Sequence, residues 1–366
     1  MSKHETVSQE LRIEIAAGAF APSGKLPSEA QLVERFGVSR PTIARALRDL
    51  QSEGLIERRA GSGTFVRAVS QTNSETRVLG LLVPERGTTE IFEAICGELG
   101  ALSRVQGFGL LWGGSPLPYA DRNSTPEHAV EVCQQFIDKS VAGVFFAPLE
   151  YSTERDQINR ELLERLRQSG TPVVLLDRDV VPFPKRSDFD LVSLDNFSAG
   201  FLLAEHLIRL GCRKLRFVAR PGSAPTVDAR IGGAREAIAR NGSPLDLKLV
   251  SQGDPSDAKF VRGLQPGRKC DGIMCANDFT AAELLKTLAS IKIDVPSKVR
   301  VAGFDDVRYA TLLPVSLTTI HQPCREIAQI AFRAMLERIN EPTIPPRTLT
   351  AAPRLVVRDS CGAYQR

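Results

Sequence analysis

The residues able to do chemistry fall into two groups. In the first, polar side chains close apolar runs: Asp177 ends Val-Val-Leu-Leu-Asp, Asn277 follows Gly-Ile-Met-Cys-Ala, and Asp305 follows Val-Arg-Val-Ala-Gly-Phe. Arg230 lies near the start of a helical stretch read over 227–240, Gln322 follows Leu-Thr-Thr-Ile-His, and Phe279 stands two residues beyond Asn277. Carboxylates, amides and a guanidinium brought into one cleft would serve a polyhydroxylated ligand, because each hydroxyl both donates and accepts. Charged partners make those hydrogen bonds stronger, and a flat aromatic can cover the apolar face of a ring. The second group is basic. Residues 35–67 hold seven arginines against three carboxylates, whereas residues 1–34 hold three cations against five carboxylates. A cationic face confined to one small segment is the electrostatic footprint of nucleic-acid binding.

Catalytic constellations fail on spacing. Gly18 to Lys25 is one residue too long for a phosphate-binding loop, and Leu26 stands where Ser or Thr is needed. Gly107-Phe108-Gly109 opens like a dinucleotide fingerprint, but Trp112 occupies the third glycine's place. Gly113-Gly114-Ser115-Pro116-Leu117 lacks the last glycine of a nucleophile elbow. The four histidines, at 4, 128, 206 and 321, are scattered, and the seven cysteines form no CxxC pair. This predicts no enzyme, no cofactor and no metal, with the thiols reduced and buried.

Local signals say which elements must carry the basic group. A first helix is read over 7–18. Ser28 and Gln31 form a capping box that opens a second helix, and Gly37 closes it. Ser39 caps a third helix, with Pro41 tolerated in its first turn. Ile43, Ala46, Leu47 and Leu50 make one buried stripe, which leaves Pro41, Arg45, Arg48 and Ser52 on the opposite face. Two helices joined by a three-residue turn predict a helix-turn-helix. Strands at 55–59 and 64–67, joined by Ala60-Gly61-Ser62-Gly63, predict a wing whose glycines allow close approach to a sugar-phosphate backbone.

Beyond a polar linker at 69–77, short apolar strands alternate with helical stretches, the rhythm of an α/β fold with parallel sheets. The 366 residues suffice for more than one domain, and 42 % hydrophobic with 25 % charged residues is ordinary for a globular chain. No apolar run approaches the ~20 residues needed to span a bilayer, and the polar N-terminus does not read as a signal peptide. The expectation is a cytoplasmic, nucleoid-associated protein without a membrane partner.

The N-terminal segment resembles the winged helix-turn-helix of GntR-type bacterial regulators. The residues that carry the likeness are Lys25-Leu26-Pro27-Ser28-Glu29, Phe36-Gly37-Val38-Ser39-Arg40-Pro41-Thr42, Arg45-Ala46-Leu47, Gly54-Leu55-Ile56 and Gly61-Ser62-Gly63-Thr64-Phe65-Val66. The resemblance implies double-stranded operator DNA as partner and contacts from Ser39, Arg40, Thr42 and Arg45. Lys25, Ser28, Arg48, Gly61, Ser62, Gly63 and Thr64 complete the candidate face. Arginine can bridge O6 and N7 of guanine.

The remainder resembles the effector domain of LacI-type regulators and periplasmic sugar-binding proteins. The likeness runs through Val192-Ser193-Leu194-Asp195-Asn196, His206-Leu207-Ile208-Arg209-Leu210-Gly211, Arg230-Ile231-Gly232-Gly233, Cys275-Ala276-Asn277-Asp278, Val301-Ala302-Gly303-Phe304-Asp305-Asp306 and Leu317 to Pro323. The joint architecture resembles the arabinose-responsive repressor class. It implies a small α+β reader at 1–68 and a two-lobed α/β domain of periplasmic-binding-protein type I at 78–361. Lobe 1 is expected over 78–193 and 321–344, lobe 2 over 194–320 and 345–361. Ligands of such sheets bind beyond the strands' carboxyl ends, so Asp177, Arg230, Asn277, Asp305, Gln322 and Phe279 are the expected sugar contacts. Asp177 has Arg178 and Asp179 as alternative partners. Asp278 and Asp306 read equally well as cap or loop charges, and Phe92, Trp112 and Tyr151 compete with Phe279 for the ring face. The function implied is a homodimeric repressor released from its operator by a sugar, with a sugar-activated or corepressed regulator, or a sugar-binding transport protein, as alternatives.

Overall fold

The computed structural model describes residues 3–16, 20, 24–52, 56–59, 63–66, 77–83, 90–113, 126–150, 154–242 and 249–364. The chain divides into two compact units, Met1–Glu75 and Thr76–Arg366. Of the stretch read as a linker, only Arg77 is among the described residues, and Gly61, Ser62 and Tyr151 lie outside them.

The first unit contains α1 (Lys3–Ala16), α2 (Glu29–Phe36), α3 (Arg40–Ser52), β1 (Ile56–Arg59) and β2 (Gly63–Val66). The first helix begins four residues earlier than its sequence pattern suggested, because the pattern was read from Val7, its first buried apolar residue. The capping box forms: Gln31 N–H donates to Ser28 Oγ at 3.3 Å, and Ser28 N–H donates to Gln31 Oε1 at 2.8 Å. Gly37 closes α2 with a φ of 61°, where a side chain would be strained. Leu11, Leu32, Ile43, Ala46, Leu47, Leu50 and Ile56 build the core, so the i, i+3, i+4, i+7 stripe of α3 is its buried face. The wing strands pair antiparallel, Ile56 opposite Val66 and Arg59 opposite Gly63. Residues 24–26 lie along the other side of β2, with Leu26 N–H donating to Thr64 O at 2.9 Å and Val66 N–H to Gly24 O at 2.7 Å.

The second unit holds two six-stranded sheets. The first is built from β3 (Val78–Leu82), β4 (Gly109–Trp112), β5 (Gly143–Phe146), β6 (Val173–Leu176) and β7 (Asp190–Leu194), with α4 (Glu90–Val105), α5 (Pro126–Asp138) and α6 (Arg155–Gln168) between them. The second uses β8 (Leu215–Ala219), β9 (Val250–Gln252), β10 (Gly272–Cys275), β11 (Arg300–Asp305) and β12 (Thr318–His321), with α7 (Asn196–Arg209), α8 (Pro225–Arg240), α9 (Ala258–Gly263) and α10 (Asp278–Ser290). After α11 (Cys324–Asn340), β13 (Thr348–Ala351) and β14 (Arg354–Val356) complete one sheet each. The orders are β13-β7-β6-β5-β3-β4 and β14-β12-β11-β10-β8-β9, the same doubly wound plan twice. All pairs are parallel except β12 with β14. Burial on both faces explains why the strands read as continuous apolar runs.

One expectation is corrected. Residues 345–361 were assigned wholly to the second lobe, but β13 pairs with β7 in the first sheet, Thr348 opposite Leu191. Buried Asp190 fixes this: its carboxylate takes Arg347 N–H at 2.8 Å and Arg338 Nη2 at 3.0 Å. The chain therefore crosses between lobes after β7, after β12 and again between β13 and β14.

Candidate functional site

In the first unit, Arg45 and Arg48 are exposed on the face of α3 opposite its buried stripe, and Arg40 is exposed at the first residue of that helix. Ser39 Oγ lies 2.8 Å from Thr42 Oγ1 at the start of α3. Ser28 keeps its hydroxyl within the capping box, 2.9 Å from Gln31 Oε1, so its clearest role is structural. Lys25 is exposed beside the wing, its ammonium 5.8 Å from the Phe65 ring centroid. Gly63 has a φ of 113° and would place a Cβ 3.0 Å from Lys25 Cε. A substitution there would both strain the wing and push this lysine aside. Thr64 sits half-buried in β2. The structure thus brings Lys25, Ser39, Arg40, Thr42, Arg45, Arg48, Gly63 and Thr64 into one small unit with a helix and a wing to present them.

In the second unit the polar candidates converge at strand ends where the two lobes meet. Asp177 follows β6 and Asp305 ends β11; both are buried and hold positive φ, 66° and 120°. Non-glycine residues seldom occupy that region, and such strain clusters at functional sites. Arg230 is 4 % exposed, 4.7 Å from the Phe304 ring. Its Nε donates to Asn196 Oδ1 at 2.8 Å, its Nη1 to Ala276 O at 2.5 Å, and its Nη2 lies 4.0 Å from Asp305. Gln322, 2 % exposed, donates Nε2–H to Asp305 Oδ1 at 2.9 Å. Asp177 Oδ1 and Gln322 Oε1 are buried acceptors without a hydrogen-bond partner among the described residues. Such atoms favour a ligand that brings donors.

The position of Arg230 depends on backbone contact between α7 and α8. A Cβ on Gly200 would lie 1.9 Å from Arg230 O, and one on Gly233 would lie 1.9 Å from Phe197 O. Only glycine permits this approach.

Two residues that the sequence reading did not place in the site belong there. Arg178 is 2 % exposed, 2.6 Å from Glu150 and 3.1 Å from Asp177, with its guanidinium 5.3 Å from the Phe92 ring. Each lobe therefore presents a buried arginine backed by a phenylalanine face. The signal was available: Arg178 lies two residues past the end of β6, and Glu150 four residues past β5.

Electrostatics follow from burial. Burial pushes the Asp305 carboxyl up to about 7, against the opposing pull of Arg230 and the Gln322 hydrogen bond, with Asp177 and Glu150 adding to the rise. Asp278 is also raised, by burial and then by Asp305. It accepts from Thr319 Oγ1 at 2.6 Å and Val307 N–H at 3.1 Å, so it braces the lobe and does not face a ligand. Asp306 pairs with Arg358 at 2.5 Å and His321 at 2.9 Å. His206 Nε2 lies 3.3 Å from Cys361 Sγ, and burial lowers its pKa. Asn277 Oδ1 accepts Thr280 N–H at 2.8 Å as the N-cap of α10, so one of its acceptor positions is used within the protein. Phe279 is 46 % exposed at the start of α10, whereas Phe92 is buried and Trp112 packs against the first lobe's core.

A cavity of about 560 Å³ opens between α4 and the hinge, lined by Glu90, Ile91, Asp305, Asp306, His321 and Gln322 among others. That volume suits a small molecule. A second hollow of about 650 Å³ lies between α5 and α6, remote from the convergent polar groups. Two polar contacts join the lobes beside the cleft. Arg155 Nη1 donates to Gly222 O and, at 2.9 Å, to Ser223 O, and Arg308 N–H donates to Glu90 Oε2 at 3.0 Å.

Residues 3–66 match the bacterial regulatory proteins of the gntR family, and residues 204–361 match the periplasmic binding protein-like domain. The arabinose metabolism transcriptional repressor of Geobacillus stearothermophilus is 26 % identical over 372 residues, covering 98 % of each chain. A transcriptional regulator, CelR, solved in complex with cellobiose aligns over 88 % of this chain and 91 % of its own, with a TM-score of 0.65 and 22 % identity. A LacI family transcriptional regulator of Enterococcus faecium solved with bound ribose aligns over 77 % of this chain and 98 % of its own, with a TM-score of 0.61 and 23 % identity.

Proposed function

We propose that this chain, which joins a GntR-type helix-turn-helix to a periplasmic-binding-protein-like effector domain, is a sequence-specific transcriptional repressor that a small sugar releases from its operator. The observation that carries the sugar reading is the convergence of Asp177, Arg178, Arg230, Asp305 and Gln322 on one cleft, with two buried acceptors left to be met by hydroxyl donors. Ser39, Arg40, Thr42, Arg45 and Arg48 read and hold the major groove, with Lys25 and the wing residues Gly61, Ser62, Gly63 and Thr64 on the backbone. Residues 1–68 form the reader and 78–361 the effector domain. The protein acts as a homodimer on a two-fold operator, because one reader spans too few base pairs for specificity.

Sugar binding favours a closed cleft, and the change in lobe geometry shifts the readers. The test is a calorimetric titration of the full chain with arabinose, ribose and cellobiose, alongside a gel shift on duplexes selected from a random pool. Saturable binding of one sugar and retention of a defined duplex support the reading. No heat with any sugar contradicts the effector role, and equal retention of all duplexes contradicts the operator role.

A further inference from the structure

The carboxylate of Glu29 joins three elements of the reader. Glu29 is the first residue of α2. Its Oε1 accepts Arg58 Nη2 at 2.7 Å, from the first wing strand, and its Oε2 lies 3.4 Å from Arg40 Nε, at the first turn of α3. The helix dipole favours an acid at this position, yet an acid beside a nucleic-acid face is repelled by phosphate. Arg40 is 78 % exposed in its side chain, so without a tether its long side chain would sample many rotamers and contact any backbone. A carboxylate that engages Arg40 and Arg58 together fixes both guanidinium groups while leaving each with further N–H donors.

We infer that Glu29 is a positioning residue for operator discrimination: it holds Arg40 and Arg58 in one register and opposes indiscriminate phosphate binding. This rests on the DNA-binding reading above. The cost of that device is affinity for random duplex, and the gain is the ratio between operator and random duplex.

The experiment measures that ratio and its salt dependence for the full-length protein, using the duplex selected by the wild type and a scrambled duplex of the same composition. Glu29→Gln removes the charge, and Glu29→Asp keeps the charge but shortens the reach. Glu34→Gln, on the exposed side of α2, removes an equal charge elsewhere. Both Glu29 variants should lose about tenfold in discrimination, the scale of one good arginine contact, while Glu34→Gln keeps the wild-type ratio. Glu29→Gln should also bind the scrambled duplex more tightly, with a salt slope steeper by about one phosphate contact per protomer. If Glu29→Asp retains the wild-type ratio, or Glu34→Gln loses as much as Glu29→Gln, the inference is overturned. A wild type that fails to discriminate any duplex defeats the DNA-binding reading itself, and this inference with it.

Discussion

Gln322 donates its side-chain N–H to Asp305 at 2.9 Å, and the two backbones also meet, Gln322 N–H to Asp305 O at 3.4 Å. One residue ends β11 of the second lobe; the other lies in the crossover from β12 to α11, which packs on the first sheet. The hinge is thereby wired to the buried carboxylate that we propose for sugar contact. A hydroxyl donor arriving at Gln322 Oε1 would engage the crossover itself, and this provides a physical route from occupancy to lobe angle.

Sugar affinity should depend on pH through Asp305. Its carboxyl titrates near 7 in the folded protein, above the ordinary carboxylate value of 3.8. The folded state thus binds the extra proton between those values, and folding stability contributed by this group falls as pH rises from about 4 to 7. A sugar hydroxyl donates best to the ionised carboxylate. Affinity should therefore rise from pH 6 to pH 8 with proton release on binding, and Asp305→Asn should flatten the profile. Calorimetry in buffers of different ionisation enthalpy reads the released proton; no release across this range contradicts the assignment.

Arg45→Ala should leave the fold intact, because the side chain is exposed on α3, while weakening operator binding by roughly 1–3 kcal/mol per half-site. Anisotropy titrations on operator and scrambled duplex, with circular dichroism as the control, measure both. Wild-type discrimination in this variant would place the reading face elsewhere.

Gly200→Ala should destabilise the second lobe even though alanine is the better helix former by about 1 kcal/mol. The new Cβ would meet Arg230 O at 1.9 Å, so α7 and α8 must separate and carry Arg230 away from Ala276 and Asp305. A thermal melt should show a lower Tm, with sugar binding lost before the fold is. An unchanged Tm would mean that the helices relax without moving Arg230.

Arg155→Ala should weaken sugar binding although the residue lies at the lobe edge. It removes the donor to Gly222 and Ser223 that joins α6 to the loop before α8, so the closed arrangement becomes less populated and the apparent affinity falls in proportion. The expected loss is a few-fold in sugar Kd, with operator affinity in the absence of sugar slightly raised, because the open form is the one that holds DNA. Small-angle scattering of the variant should show a more open apo form; identical scattering and identical Kd would remove Arg155 from the closure.

The reader was legible in the sequence because its signals are local. The capping box of Ser28 and Gln31, the left-handed Gly37 and the stripe from Ile43 to Leu50 each depend on neighbours within a few positions. The strand ends bearing Asp177 and Asp305 were legible too, since buried parallel strands read as apolar runs with polar ends. What escaped the sequence is non-local. Thr348–Ala351 alternates like any edge strand, and only the buried Asp190 with Arg338 and Arg347 assigns it to the first sheet. Arg178 looked like a private partner for Asp177 until the fold set Glu150 2.6 Å away. Asn277 carries the same residue type whether it caps a helix or binds a ligand, and its hydrogen bond to Thr280 is visible only in three dimensions.

The most direct test of the account is thermodynamic linkage in the full chain. The measurement is the affinity for the selected duplex with and without the sugar identified by calorimetry, together with the affinity for that sugar on free and duplex-saturated protein, for the wild type and Arg230→Ala. The account predicts that the sugar weakens duplex binding, that the duplex weakens sugar binding by the same factor, and that Arg230→Ala binds the duplex normally yet ignores the sugar. A sugar that binds the wild type at the cleft while leaving duplex affinity unchanged would contradict it.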